Sequence, residues 1–151
     1  MKVIIGSDEG GFDLKKTLFD FLVEKGYEVE DFGVYCKDPS LYPETALKVA
    51  QAIKEGKAER GILICGTGIG MAMSANKVAG IRAAQTHDVY SAIRAKKSND
   101  AQIITMGAKV IGEEKAKVIA EAFLTADGVK PSSLPKIEKI KEIEKMYSKE
   151  K

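Results

Sequence analysis

Residues 61–70 read Gly-Ile-Leu-Ile-Cys-Gly-Thr-Gly-Ile-Gly. Gly61 to Cys65 form a short apolar run that passes straight into a glycine-rich turn, and a helical pattern follows from about Met71. A short apolar run ending in such a turn reads as a strand buried on both faces, and a strand that feeds a helix through a Gly turn belongs to a parallel sheet covered by helices. The same rhythm extends in both directions. Upstream, Val3-Ile4-Ile5 is a strand ending in Gly6, and Leu14, Leu18, Phe21 and Leu22 have helical spacing closed by Lys25-Gly26. Tyr27 to Phe32 alternates as a strand, residues 33–43 carry loop-forming Gly and Pro, and Ala46, Val49, Ala50 and Ile53 mark a helix stopped by Gly56. Downstream, Gly80–Thr86 and Gln102–Met106 read as strands, and Val89–Lys97 and Glu113–Leu124 as helices. The prediction is an α/β fold with a five-stranded parallel sheet between helical layers, formed as a single domain over residues 1–151. After Asp127-Gly128 and Pro131-Ser132-Ser133, an extra C-terminal helix over about 133–148 carries Leu134, Ile137, Ile140, Ile143 and Tyr147 on one stripe. That stripe packs either on its own domain or on a second subunit.

Composition narrows the chemistry. Lys+Arg 24 against Asp+Glu 22 gives a net charge of +2, too balanced for a nucleic-acid or membrane partner. There is one histidine, His87, and two cysteines, Cys36 and Cys65, with no C-x-x-C pair, so a Cys-rich zinc site is excluded and no metal is expected. The first residues are no signal peptide, and the longest apolar run, Ile62 to Cys65, is far below the roughly 20 residues of a membrane span. A cytoplasmic protein with reduced thiols is expected.

In an open parallel sheet, ligands bind at the C-terminal ends of strands. Ser7-Asp8-Glu9-Gly10-Gly11, Cys65 to Gly70 and His87-Asp88 all fall there, whereas Ser98-Asn99-Asp100 precedes the fifth strand and so lies at the other end. The Gly66–Gly70 turn fails as a dinucleotide fingerprint, because Met71 stands where the third Gly is required, and as a Walker A loop, because no Gly-Lys-Ser/Thr follows. It remains either a structural turn or an anion hole. Cys65 ends its strand beside a helix N-terminus, which favours a thiolate, although a cysteine in an apolar strand is commonly inert. With Thr67, these parts suit proton abstraction next to a carbonyl; thioester or phosphocysteine chemistry would use them too. Asp8 or Ser7 would cap the following helix, and His87 is either a cap or a general acid.

Taken together, the stretches IIGSDEGGFDLK, GYEVEDFG, Tyr42-Pro43, GILICGTGIGMAMSANKVAGIRAA, Asn99-Asp100 and MGAKVIG resemble the ribose-5-phosphate isomerase type B family, which includes galactose-6-phosphate isomerase subunits. The resemblance implies a Rossmann-like three-layer sandwich and a cofactor-free aldose–ketose isomerase of phosphorylated sugars of the ribose 5-phosphate/ribulose 5-phosphate type. It further implies a homodimer or dimer of dimers, or a hetero-oligomer with a paralogue, with the active site between subunits. Cys65 would be the base, Thr67 would assist ring opening or proton shuttling, and the amides of Gly66, Gly68, Ile69 and Gly70 would hold the enediolate. Asp8, Tyr42, Asn76 and Asn99 would contact sugar hydroxyls.

Departures from the family pattern cluster at the phosphate and the ring oxygen. Glu9 replaces a phosphate-binding histidine, Ser98 replaces the ring-opening histidine, and Lys109, Ser132 and Lys136 stand where arginines and the tail motif are usual. In the branch that uses a glutamate base, that residue falls on Met71. These changes leave open a substrate such as galactose 6-phosphate, allose 6-phosphate or a four-carbon sugar phosphate. They also leave open ring opening by His87, and a binding subunit that has lost catalysis.

Overall fold

The computed structural model describes residues 1–148. Five parallel strands form one sheet in the order β2-β1-β3-β5-β4: β1 (Lys2–Ser7), β2 (Glu28–Asp31), β3 (Arg60–Cys65), β4 (Ala83–Gln85) and β5 (Ile103–Gly107). The helices are α1 (Phe12–Glu24), α2 (Tyr42–Lys54), α3 (Ile69–Ala75), α4 (Val89–Asn99), α5 (Glu113–Thr125) and α6 (Leu134–Met146). The expected α/β sandwich is present, and the order of the central strands follows from burial. In β3 all residues from Arg60 to Cys65 are buried, as the continuous apolar run requires of a strand covered on both sides. The edge strand β2 alternates between half-buried and exposed positions.

Side chains alternate across a strand, so each strand feeds two cores. Val3, Ile5, Ile62, Ile64, Ile104 and Met106 point to one face, where Leu18, Leu22, Ile119 and Phe123 of α1 and α5 cover them. Ile4, Leu63, Cys65 and Ile103 point to the other, against Val49, Ile53, Met71 and Ala75 of α2 and α3. Cys65 therefore lies on the α2–α3 side with its sulfur at the top of that core.

Several element bounds differ from the sequence reading. The loop gives way to α2 at Tyr42, because Pro43 sits in the first helical turn, where its missing N–H costs nothing. Helix α3 starts at Ile69, ahead of Met71, because Gly68 completes the turn with φ +81°. Strand β4 is shorter than Gly80–Thr86, since Gly80 and Arg82 are held in a turn by the side chain of Gln102. Asn99 is the last residue of α4, and Asp100, at φ 48°, ends the helix. Of the expected C-terminal stripe only Ile137 is buried, while Leu134, Ile140, Ile143 and Tyr147 are exposed.

Arg60 shows how the base of the sheet is joined to α5. It is 6% exposed and donates to the carbonyls of Phe123 (2.7 Å) and Ala126 (3.1 Å), satisfying the orphan acceptors of a helix C-terminus. Its guanidinium lies 5.2 Å from the Phe123 ring. Arg60→Ala strands two carbonyls and opens a cavity, so chemical denaturation is expected to show a loss of about 2–4 kcal/mol. A loss below about 0.5 kcal/mol would show that these bonds are not needed.

Candidate active site

The Gly66–Gly70 turn is built by close approach of backbones. A Cβ on Gly68 would lie 2.9 Å from Met106 backbone atoms, and one on Gly107 would lie 2.5 Å from Thr67 Cα. Thr105 Oγ1 donates to Gly68 O at 2.6 Å, and the N–H groups of Ala108 and Lys109 donate to Cys65 O (2.9 Å) and Gly66 O (3.0 Å). The turn is thus fastened along β5 and the residues that follow it. Within it the Gly68 N–H donates to Cys65 Sγ at 3.1 Å, and the Ile69 N–H to Thr67 Oγ1 at 3.2 Å. Among the described residues, the N–H groups of Gly66, Thr67 and Gly70 have no acceptor. Cys65 is 5% exposed, in contact with the cleft by its edge. Met71, the position of a glutamate base in the other branch, is fully buried in the same apolar cluster as Cys65.

Three further segments surround this turn. Tyr42 packs against it: a Cβ on Gly70 would come within 2.3 Å of the tyrosine ring. Lys109 runs its methylenes over Gly66, with Cδ 3.7 Å from where a Cβ would sit. Asp8 approaches from β1, whose end is joined to β3 by Asp8 N–H to Ile64 O (3.2 Å). Its Oδ1 accepts from Gly11 N–H at 3.0 Å, capping the short turn Glu9–Gly11, so Asp8 makes the cap expected of Asp8 or Ser7. Burial pushes the Asp8 carboxyl above its ordinary range. Ser7 Oγ is buried without a partner among the described residues.

Among the described residues Glu9 makes no ion pair with a lysine. Its Oε1 accepts from the backbone N–H (2.9 Å) and the hydroxyl (2.7 Å) of Ser40, and these bonds hold its carboxyl below the usual range. It clamps the 33–41 loop beside Tyr42. The same loop is anchored by Lys15, which is fully buried, pairs with Asp31 at 2.9 Å, donates to Val34 O and lies between the rings of Phe12 and Tyr35. Sequence reasoning missed Lys15 and Ser40. Lys15 occurs on the apolar stripe of its helix, and that placement was the available signal.

His87 Nε2 accepts from Gly107 N–H at 2.9 Å. Its Nε2 is therefore unprotonated and committed to β5, while Asp88 caps α4 through Ser91 N–H at 2.8 Å. Gln85, also missed, donates to Thr67 O at 2.8 Å and steadies the turn from β4.

The remaining expected residues lie at the opposite end of the sheet. Asn76 ends α3 and uses both amide groups on Ala83, accepting from its N–H and donating to its carbonyl at 2.8 Å each. Ser98 Oγ accepts from Arg94 Nε at 2.7 Å. Asn99 lines a hollow with Asn76, Arg82 and Ile140, and Lys136 is exposed at the start of α6, with Ser132 exposed just before it. One chain thus gathers Cys65, Gly66, Thr67, Gly68, Ile69, Gly70, Asp8, Glu9, Tyr42, His87 and Lys109, and does not bring Asn76, Ser98, Asn99 or Lys136 to them.

The family model described as Ribose/Galactose Isomerase matches residues 3–140. The chain belongs to the ribose/galactose isomerase family. It is 54% identical over 144 residues to a D-erythrulose-4-phosphate isomerase of Pectobacterium atrosepticum, with 93% of each chain covered. It is 52% identical over 144 residues to a ribose-5-P isomerase B of Listeria innocua, covering 95% of this chain and 97% of that one. Among solved structures, the ribose-5-phosphate isomerase B of Clostridium thermocellum superposes with a TM-score of 0.96 at 46% identity, covering 98% of this chain and all of the other. The fold expected from the resemblance is therefore that of the family.

The His87 bond has a pH signature. Burial, followed by the nearby charge of Lys115, lowers the imidazole below its ordinary value. The folded state then binds fewer protons at this site than the unfolded chain, and stability rises with pH across the window between the two values. The contribution is complete above the ordinary histidine range near 6.5 and is lost as pH falls through it. Wild type is expected to lose Tm between pH 7.5 and 5.5, and His87→Gln to lose less; parallel Tm–pH curves would contradict this assignment.

Proposed function

We propose that the chain is a cytoplasmic aldose–ketose isomerase of a phosphorylated sugar in which Cys65 moves the proton between C1 and C2. The observation that carries this reading is Cys65 Sγ at the cleft edge of β3, accepting from Gly68 N–H at 3.1 Å in a turn whose neighbouring amides have no protein acceptor. That hydrogen bond fixes the sulfur at the mouth of the turn, beside the free amides. The thiolate takes the proton from the carbon beside the carbonyl, leaving a 1,2-enediolate, and the thiol returns it to the adjacent carbon. The Gly66, Thr67 and Gly70 N–H groups are placed to bind the oxygen on which charge develops. Thr67 Oγ1, exposed beside them, relays the proton between the two oxygens, and Asp8 and Tyr42 receive the sugar hydroxyls.

The preferred substrate is a four-carbon sugar phosphate. An aldose phosphorylated on its fourth carbon cannot close a furanose ring, so no group is needed to open one. Two observations favour it: Ser98 Oγ is engaged by Arg94, and the Nε2 of His87 is engaged by Gly107. The relative of Pectobacterium atrosepticum named for D-erythrulose 4-phosphate supports the same choice. The relative of Listeria innocua named ribose-5-P isomerase B supports ribose 5-phosphate as the second reading. Asn76 and Asn99 serve the cleft of a second copy, for which the exposed residues of α6 offer an apolar contact.

An isomerisation assay over four-, five- and six-carbon sugar phosphates tests the proposal. The highest kcat/KM is expected for the four-carbon pair, and turnover of ribose 5-phosphate far above all others would reverse the substrate choice. Cys65→Ala is expected to lose a factor of about 10² or more in kcat. Full activity of that variant would remove Cys65 from the mechanism, and binding without turnover of any member would favour a non-catalytic subunit.

A further inference from the structure

The concave surfaces of the chain differ in charge. One groove sets Lys48 and Lys57 against Glu30, Asp31 and Glu55, and another sets Lys54 and Lys77 against Glu144. A third breaks this balance. Between the C-terminal half of α4 and the turn after α5, a cavity of about 310 Å³ is lined by Arg94, Lys97, Asp127, Gly128, Val129 and Lys130, three cations against one carboxylate. Among the described residues none of the three cations has an ion-pair partner, whereas nine acidic groups elsewhere pair with a lysine.

The cluster is held in place. Lys130 N–H donates to Lys97 O at 2.9 Å, which pins the turn to the helix and keeps the two lysines on one rim. Gly128, at φ +72°, makes the bend, and Asp127 Oδ1 is occupied by Gly128 N–H at 2.9 Å. Arg94 and Lys97 are half-buried, and Arg94 uses Nε on Ser98 Oγ at 2.7 Å. Its two terminal nitrogens have no acceptor among the described residues. Like charges gathered in a concavity repel one another and concentrate anions, and a guanidinium fork beside two ammonium groups matches a dianion with several oxygens.

We propose that Arg94, Lys97 and Lys130 form a binding site for a phosphate monoester dianion. The site lies at the end of the sheet opposite the Gly66–Gly70 turn. Helix α4, with 11 residues, separates the two ends by about 16 Å at 1.5 Å per residue, more than a small sugar phosphate spans. Within one chain it is therefore distinct from the Cys65 cleft. The phosphate belongs either to a substrate lying in the cleft of a second copy or to a free phosphorylated effector; the recognising chemistry is the same.

Calorimetric titration of the full chain with inorganic phosphate tests the site, with sugar-phosphate kinetics as the second arm. Wild type is expected to bind phosphate saturably. Arg94→Gln, and the pair Lys97→Glu with Lys130→Glu, should each weaken binding by about tenfold or more at unchanged Tm. The pair Lys48→Glu with Lys57→Glu, from the balanced groove, should leave it unchanged. Arg94→Gln keeps the test open if the double variant fails to fold. Equal affinity in the Arg94 and Lys97/Lys130 variants, or no phosphate binding by wild type, overturns the proposal. If KM for the sugar phosphate rises in the same variants with kcat within about twofold, the ligand is the substrate's own phosphate; if KM is unchanged while phosphate binding is lost, it is an effector. The readout is phosphate binding, so the site stands or falls separately from the isomerase assignment.

Discussion

The approach of Gly68 to the backbone of Met106 is the constraint on which the rest of the cleft depends. A Cβ there would lie 2.9 Å from backbone atoms that cannot retreat, because β5 is a buried interior strand between β3 and β4. The turn must therefore be made by a residue that tolerates both φ +81° and the absence of a side chain. Once it is made, its direction is settled. The Gly68 N–H points back at Cys65 Sγ, Gly70 leaves room for the Tyr42 ring, and Gly107 lets Thr67 lie on β5. Thr105, His87 and Gln85 then supply hydrogen bonds that hold the turn from β5 and β4. A cysteine at the end of a strand is a common and inert object; the turn beyond it is what gives this one a donor and a row of amides.

Charge is distributed against the simplest picture of a phosphate-binding cleft. Near the turn stand the carboxylates Asp8 and Glu9 and the cation Lys109, while the cationic cavity lies at the other end of the sheet. Glu9 explains part of this. In contact with Ser40 it is a structural clamp for the 33–41 loop, and the loop in turn delivers Tyr42 to the top of Gly70. A histidine at this position would be free to meet an anion; a glutamate with two donors of its own is not. Lys15 reinforces the clamp from beneath through Asp31 and Val34. The loop and the phosphate end are thus linked, since a change at position 9 alters both.

Much of the fold was legible because parallel strands buried on both faces leave apolar runs such as Gly61–Cys65, and because Gly turns mark their ends. The bounds that moved did so for local reasons that a hydrophobic pattern does not carry: Pro43 within the first turn of α2, and Asp100 in the left-handed region ending α4. The cleft was legible where chemistry follows from position in the fold, as for Cys65, Thr67 and Asp8. It was hidden where function depends on a partner far away in sequence. Ser40 lies 31 residues from Glu9, Gly107 lies 20 from His87, and nothing in either neighbourhood announces the pairing. Lys15 was hidden for a different reason, because a lysine on an apolar stripe reads as a surface residue until an aspartate and two aromatic rings are seen around it.

The two ends of the sheet differ in what a substitution would disturb. In the proposed mechanism, proton transfer rests on backbone: the amides of the turn, the carbonyls fixed along β5, and glycines with no space for a side chain. Altering any of these disturbs β3 and β5 in the middle of both cores, so the chemistry is tied to the stability of the fold. The cations of the cavity between α4 and the 127–130 turn sit on long side chains, which pack little of the core and can be exchanged at small cost. A scaffold built this way keeps its reaction while its choice of anionic substrate is free to change. The departures from the pattern this sequence resembles have that distribution: Glu9 and Ser98 are half-buried, and Lys109, Ser132 and Lys136 are exposed.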